Sequence, residues 1–205
     1  SFPRMAGFPA RTGCGTQQHL HRARRKAPPP PDPTCLQPRR PRPHPRQLPG
    51  PWHAGWALGF HSQYAGANWN RSETGELTYR LKYQGDLSVL PLLVEQAVAL
   101  IAEHPELAQV DGIIPVPPST PRPNDPVSNF AQALAQKLEL PYLPVVVKSR
   151  QTSPQKEMHT LAQKQSNVAS AFSVQSPVKG KRLMVVDDLF DSGATLLEIH
   201  RQLCR

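Results

Sequence analysis

One stretch near the end of this 205-residue chain, KRLMVVDDLFDSGATLLEIH at positions 181–200, limits its fold more than any other. An apolar run ends in two adjacent aspartates, Asp187 and Asp188, and a short loop then leads into a helical pattern. In open α/β sheets, ligands bind beyond the carboxyl ends of the strands. This order of segments therefore predicts a ligand site where the strand stops.

The loop DSGAT at 191–195 has the residues of an anion site. Gly193 allows a tight turn, while Ser192 and Thr195 add hydroxyl donors. Backbone N–H groups at the start of the following helix would then surround a phosphate. The neighbouring Asp187 and Asp188 would repel that phosphate unless they bound sugar hydroxyls or Mg²⁺. The pattern therefore predicts a pocket for a phosphorylated sugar, with a solvated strand end or an ordinary capped turn as the alternatives.

The rest of the globular part predicts an α/β fold with a parallel sheet flanked by helices. Continuous Val, Ile and Leu runs predict buried strands at 110–118, 142–149 and 181–188. Segment 76–86 is predicted as a helix or a strand that ends in a turn at Gly85. Helical patterns cover 87–107, 125–140, part of 154–172, and 194–204. Because the sequence stops after this helix, we expect the sheet to lack its last strand.

The first 51 residues have a different composition. They hold ten Lys or Arg residues against one acid, a net charge of +9, and 13 of the 25 prolines. Such a segment buries too little apolar surface to fold, so we predict a disordered tail over 1–51 and a neutral domain over 55–205. Two alternatives for the tail are a DNA-binding arm, which the neutral domain does not favour, and a ligand for proline-recognising domains.

Cysteine content and hydropathy indicate the compartment. The three cysteines, Cys14, Cys35 and Cys204, form no short-spaced pair, which argues against a zinc ribbon or a disulfide framework. No apolar run approaches the roughly 20 residues of a membrane span. We therefore expect a cytoplasmic protein without a membrane segment.

The stretch LMVVDDLFDSGAT resembles the 5-phosphoribosyl-1-pyrophosphate (PRPP) motif of type I phosphoribosyltransferases. The segments LKYQGD, DGIIPVPPS, SRQTSPQ and NVASAF are similar to ComF-type proteins, phosphoribosyltransferase-like proteins linked to competence and DNA uptake. The resemblance covers roughly residues 56–205. It implies a Rossmann-like fold and a glycosyltransferase that moves phosphoribosyl from PRPP to a nitrogenous acceptor, with Mg²⁺ present and pyrophosphate released.

The resemblance also implies roles for individual residues. Asp187 and Asp188 would bind the ribose hydroxyls and, through PRPP, the Mg²⁺ ion. The 5′-phosphate would lie against Asp191, Ser192, Gly193, Ala194 and Thr195. Asp191 has a second candidate role as the general base near the acceptor nitrogen. The candidates on the pyrophosphate side are Ser119, Arg122, Lys148, Arg150 and Lys156.

The chain departs from the ComF pattern at three places, the third of which is the expected lack of the last strand. The arginine-glycine-phenylalanine-asparagine segment is replaced by PVSNFAQAL, which keeps Asn129 and Phe130, and proline-rich sequence stands where many members have a zinc ribbon. The first departure favours an alternative function, a non-catalytic accessory protein of DNA uptake or DNA metabolism that binds PRPP or a nucleotide. The acceptor, the role of the tail and the oligomeric state, with a homodimer as one option, stay open.

Overall fold

The computed structural model describes residues 45–65, 68–120, 122–153 and 157–205. The α-helices of this part are α1 (Glu73–Tyr79), α2 (Leu90–Glu103), α3 (Pro126–Lys137), α4 (Leu161–Val168) and α5 (Ala194–Leu203). A π-helical turn, Arg80–Gln84, continues α1, and short 3₁₀ turns lie at each end of α2. The predicted helices therefore all occur, in the expected order.

The strands of the described part are short. They are β1 (Arg46–Gln47), β2 (Trp56–Ala57), β3 (Ser62–Ala65), β4 (Asn68–Arg71), β5 (Gly112–Pro115), β6 (Val146–Lys148), β7 (Phe172–Val174) and β8 (Leu183–Val186). Strands β1 and β2, β3 and β4, and β6 and β7 form antiparallel pairs. Strands β5 and β8 pair in parallel, and this pair is the centre of the fold.

The parallel arrangement extends to a third segment on the other side of β5. Tyr142 forms a parallel bridge with Ile113, whose N–H donates to the carbonyl of Pro141 at 2.9 Å and whose carbonyl accepts from Leu143 N at 2.8 Å. The order across the sheet is thus residue 142, β5, β8. The predicted α/β fold with a parallel sheet is confirmed.

Helices cover both faces of this sheet. Ile113 and Ile114 are both fully buried, and they point in opposite directions because neighbouring strand residues alternate. Ile113 packs with residues of α2 and α3, including Leu134, whereas Ile114 packs with residues of α4 and α5, including Ile199. Two covered faces explain why the strand segments are continuously apolar.

Segment 142–149 differs from its prediction as one buried parallel strand. Tyr142 adjoins β5, but the chain then leaves the sheet, and Val146–Lys148 pairs with Phe172–Val174 instead. Pro144 is the physical reason, since a residue without an N–H cannot continue a hydrogen-bond ladder. The prediction joined two short elements that have different partners.

The ends of two helices agree with the sequence signals. Asp125 caps α3, with its carboxylate accepting from Ser128 N at 2.8 Å, and Pro126 is the first helical residue. Segment 76–86 is helical and ends at Gly85, whose φ of 66° is left-handed. The turn predicted at Gly85 is confirmed, and the open choice between helix and strand is decided for helix.

The predicted tail falls largely outside the described residues, which begin at position 45. Its last residues are described: Arg46–Gln47 pairs with Trp56–Ala57, and Leu48 N donates to Gly55 O at 2.7 Å. The boundary between tail and domain therefore stays a prediction. In the part of the chain that the structure describes, no helix is long and apolar enough to cross a membrane.

Candidate functional site

The carboxyl ends of β5 and β8 lie side by side. Val116 N, just beyond β5, donates to Val186 O, the last residue of β8, at 2.9 Å. Asp187 follows β8 directly, and the buried N-cap Asp125 follows β5 after a loop. The edge where the sequence predicted a ligand site is thus lined by carboxylates from two segments.

Asp187 directly follows β8 and is half-buried. One of its carboxylate oxygens accepts a hydrogen bond from Asp188 N at 2.8 Å. Burial of the carboxyl, with a further contribution from the negative charge of Asp188, raises the pKa of Asp187 to about 7. Asp187 therefore changes charge near neutral pH.

Asp188 forms an ion pair with Lys82, a residue 106 positions earlier in the chain. Lys82 Nζ lies 2.9 Å from one carboxylate oxygen and 3.1 Å from the other. The side chains are only 26% and 16% exposed, so the pair is largely withdrawn from water. Asp187 and Asp188, hereafter the acid pair, therefore have Lys82 as a counterion.

The geometry of segment 80–86 aims Lys82 at the acid pair. The Arg80 guanidinium donates to the Asp86 carboxylate at 3.0 and 2.5 Å, which closes the segment around the left-handed Gly85. The other Asp86 carboxylate oxygen accepts from the backbone N–H and hydroxyl of Ser88. These hydrogen bonds lower the pKa of Asp86 and keep it ionised. Lys82 is thus held by a short, locally closed turn.

The loop at 191–195 turns into α5 at Gly193. This glycine is left-handed, with φ 73° and ψ 0°, and its carbonyl accepts the first helical hydrogen bond, from Leu197 N at 2.8 Å. A Cβ at this position would lie 3.1 Å from the Phe190 ring. Ala194, the first residue of α5, is buried. Glycine therefore suits both the left-handed backbone turn and the close approach of the ring, while anion binding by the loop stays a prediction.

Asp191 lies at the outer end of this loop. Its side chain is 55% exposed and forms an ion pair with Lys164 of α4, whose side chain is only 16% exposed. Ser192 Oγ lies 3.5 Å from Ala194 N, at the limit of a hydrogen bond, and Thr195 is half-buried. The loop therefore already contains one contact between a carboxylate and an ammonium group.

The candidates that follow β5 have different surroundings. Ser119 is exposed. Arg122 is also exposed, and its guanidinium lies 3.6 Å from the buried Asp125 carboxylate. The Asp125 oxygen nearest to Arg122 has no hydrogen-bond partner among the described residues. A binding role for Ser119 and Arg122 stays a prediction.

The pyrophosphate-side candidates of segment 148–156 are only partly brought together. Lys148 ends β6 and is half-buried, and burial together with the nearby charge of Arg150 lowers the pKa of Lys148. The Arg150 guanidinium donates to the carbonyls of Asn167 and Ala169 at 3.0 and 2.7 Å. It thus holds the C-terminal end of α4, and no contact with the acid pair is seen among the described residues. Lys156 lies outside the described residues.

The acid pair fits magnesium only with help from a ligand. Its carboxylates are the hard oxygen donors that Mg²⁺ prefers, but one of them is already paired with Lys82. Within the described ranges, no group of three or more His, Cys, Asp or Glu side chains could hold a metal ion. Asp187 and Asp188 therefore fit an ion whose remaining ligands are phosphate and hydroxyl oxygens of a substrate.

A comparison with protein families agrees with this geometry. Residues 128–204 match the family model described as the phosphoribosyl transferase domain. The matched segment runs from α3 to α5, so it contains the acid pair and the loop. It supports the relation to type I phosphoribosyltransferases and phosphoribosyl transfer as the general chemistry. No curated protein and no solved structure matches the chain significantly.

Sequence reasoning missed the two lysines that contact the motif among the described residues. Lys82 stands in LKYQGD, a segment noted for its resemblance but given no role, and it reaches Asp188 only through the fold. Lys164 lies in a helical pattern with nothing to separate it from an ordinary surface lysine. Neither contact could be read from spacing, because the partners are 106 and 27 positions apart.

Proposed function

We propose that this domain binds PRPP together with Mg²⁺ and transfers its phosphoribosyl group to a nitrogenous acceptor, with release of pyrophosphate. One observation carries the proposal: the acid pair and the left-handed loop before α5 lie together at the carboxyl edge of the parallel sheet. The acid pair and the loop both belong to the segment that matches the phosphoribosyl transferase model.

The two parts of the site suit the two ends of one ribose phosphate. The backbone N–H groups of residues 192–195 would bind the 5′-phosphate, assisted by the N-terminus of α5. The carboxylates of Asp187 and Asp188 would accept hydrogen bonds from the ribose hydroxyls. A ribose held at both ends presents its C1 carbon in one orientation, and this positioning lowers the entropic part of the barrier.

The transfer itself is a displacement at C1. The acceptor nitrogen forms the new N–C1 bond while the C1–O bond to pyrophosphate breaks, and pyrophosphate leaves with that electron pair. Asp191 is the candidate that takes the proton from the acceptor nitrogen. Magnesium, when bound with PRPP, supplies positive charge to the departing pyrophosphate, while Ser119, Arg122, Lys148, Arg150 and Lys156 remain the candidate protein contacts.

The ComF-type relation is part of the proposal, whereas a role in DNA uptake or DNA metabolism belongs to an alternative function. The alternative keeps the same binding site without turnover, as an accessory protein that binds PRPP or a nucleotide. The observation that favours this alternative is that PVSNFAQAL replaces the arginine-glycine-phenylalanine-asparagine segment of the ComF pattern. Because both functions need the same pocket, only a measurement of turnover separates them.

The test uses the full chain in two assays. Calorimetry with PRPP and Mg²⁺ should show saturable binding that is lost in Asp188→Asn and kept in the control Glu103→Gln, an exposed change on α2. Pyrophosphate release is then measured with a panel of nitrogenous bases. Release that depends on one base supports the transferase, binding without release supports the accessory protein, and absence of binding by the wild type overturns both.

A further inference from the structure

We infer that Lys164 binds the phosphate of the ligand. Without the ligand, its ammonium group forms the ion pair with Asp191. The inference rests on the proposed function, because it assumes that the loop at 191–195 takes a phosphate. It adds a residue from α4 to a motif that otherwise consists of β8, the loop and α5.

The charges of the loop call for such a cation. A phosphate in the loop would approach the Asp191 carboxylate, and two anions in contact repel each other. Lys164 contacts that carboxylate directly and neutralises it. The neutralised carboxylate then no longer offsets the attraction between the phosphate and the partial positive charge at the N-terminus of α5. Without Lys164, the carboxylate would cancel much of that attraction.

Lys164 is much less exposed than Asp191, as expected if the lysine stays in place and the carboxylate moves aside for a phosphate. The Lys164 side chain is 16% exposed, so its stem is packed while its ammonium group meets the loop. Asp191 is 55% exposed and can turn toward water at little cost. A lysine ammonium has three donors on a flexible stem, so it can contact a carboxylate and a phosphate together.

The helix that carries Lys164 is fixed at both ends. At its start, Thr160 and Gln163 form a capping box. At its end, Arg150 binds the carbonyls of Asn167 and Ala169. Asn167 in addition exchanges two hydrogen bonds with the Ser153 backbone, at 3.1 and 2.8 Å. Lys164 is therefore presented to the loop by a rigid support, as a pre-organised binding residue requires.

The experiment measures the affinity of the full chain for ribose 5-phosphate by calorimetry at low salt. Lys164→Met should weaken binding about tenfold or more, as expected for a charge-assisted hydrogen bond, and Lys164→Arg should retain most of the affinity. The control Lys181→Met removes an exposed lysine just before β8, at the opposite end of the strand from the loop. It should bind like the wild type.

A second substitution separates phosphate binding from a merely structural lysine. Adding Asp191→Asn to Lys164→Met removes the unopposed carboxylate, so affinity should recover by several-fold relative to the single variant. Equal affinities of wild type and folded Lys164→Met overturn the inference while leaving the proposed function intact, and so does a further loss in the double variant. Failure of the wild type to bind either ribose 5-phosphate or PRPP overturns the proposed function instead.

Discussion

Two lysine–carboxylate pairs flank the same motif, but they differ in burial. The Lys82–Asp188 pair joins a turn near the start of the domain to the end of β8, and both of its side chains are largely covered. The Lys164–Asp191 pair joins neighbouring helical regions, and its acid is mainly exposed. A covered pair is costly to break because the loss of one partner leaves the other with an unpaired charge that water hardly reaches. An exposed acid can instead be solvated by water once its pair is broken.

This difference assigns the two pairs different tasks. The inner pair, Lys82–Asp188, joins the end of β8 to the turn at 80–86. Beside it lies the carboxyl of Asp187, whose pKa is raised to about 7 by burial. Under the proposed function, the outer pair, Lys164–Asp191, would be the exchangeable one, because the loop would have to admit a phosphate. Substitutions at the two pairs and in the loop should therefore differ in their effects on stability.

Asp188→Ala should cause the largest loss of stability. The substitution removes the carboxylate that pairs with Lys82 and leaves its ammonium group poorly solvated. The expected cost is about 3 kcal/mol in the free energy of unfolding. Urea denaturation measures it, and the double variant with Lys82→Met should recover a large part of that loss. A loss below about 0.5 kcal/mol would show that the inner pair is no stronger than an exposed one.

Asp187→Asn should change how stability depends on pH. The folded-state pKa of about 7 lies above the ordinary value of 3.8, so the folded protein binds the proton more tightly than the unfolded chain. Wild-type stability should therefore fall as pH rises from about 4 to 7, and the Asn variant should lack this fall.

At pH 8 the Asn variant should be more stable than the wild type by on the order of 2 kcal/mol, and the two should converge near pH 4. Denaturation midpoints across this range provide the measurement. Parallel pH profiles for the two proteins would mean that the carboxyl is not significantly desolvated.

Gly193→Ala tests the loop against a matched glycine. Gly180 has a similar left-handed φ of 78°, with open space where a Cβ would stand, so Gly180→Ala should cost about 1 kcal/mol from backbone strain alone. Gly193→Ala must also displace the Phe190 ring and should cost about 1 kcal/mol more. Thermal unfolding compares the two, and equal costs would show that the ring yields freely.

The smallest effect is expected for the outer pair. A double-mutant cycle with Lys164→Met and Asp191→Asn should give a coupling of about 0.5 kcal/mol in unfolding free energy, because the acid is exposed. The same cycle on Lys82 and Asp188 should give a clearly larger value. A reversed order would contradict the assignment of an exchangeable outer pair.

The sequence was sufficient for the parts of the fold that depend on local chemistry. The apolar runs located β5 and β8, the Asp125–Pro126 signal located the start of α3, and Gly193 marked the left-handed turn. Segment 142–149 was wrong as one strand because hydrophobicity alone does not say which partner a strand will pair with. Pro144 was visible in the sequence, but its consequence depends on β7 being available.

The site divides in the same way. Its acids and loop stand in one continuous motif, so their proximity could be predicted. Their counterions come from distant segments, since Lys82 arrives from the turn at 80–86 and Lys164 from α4. Arg150, a candidate for pyrophosphate, holds the C-terminal end of α4 in this structure, a contact that the sequence did not indicate. Its binding role stays a prediction.

The proposed function requires one ribose phosphate to contact both the acid pair and the loop. Titration of the ¹⁵N-labelled full chain with ribose 5-phosphate, followed by NMR, tests it most directly. We expect saturable shifts of the backbone amides of Asp187, Asp188 and residues 192–195 with one common dissociation constant. Shifts confined to other parts of the chain, or none in the loop at concentrations where PRPP binds, would contradict it.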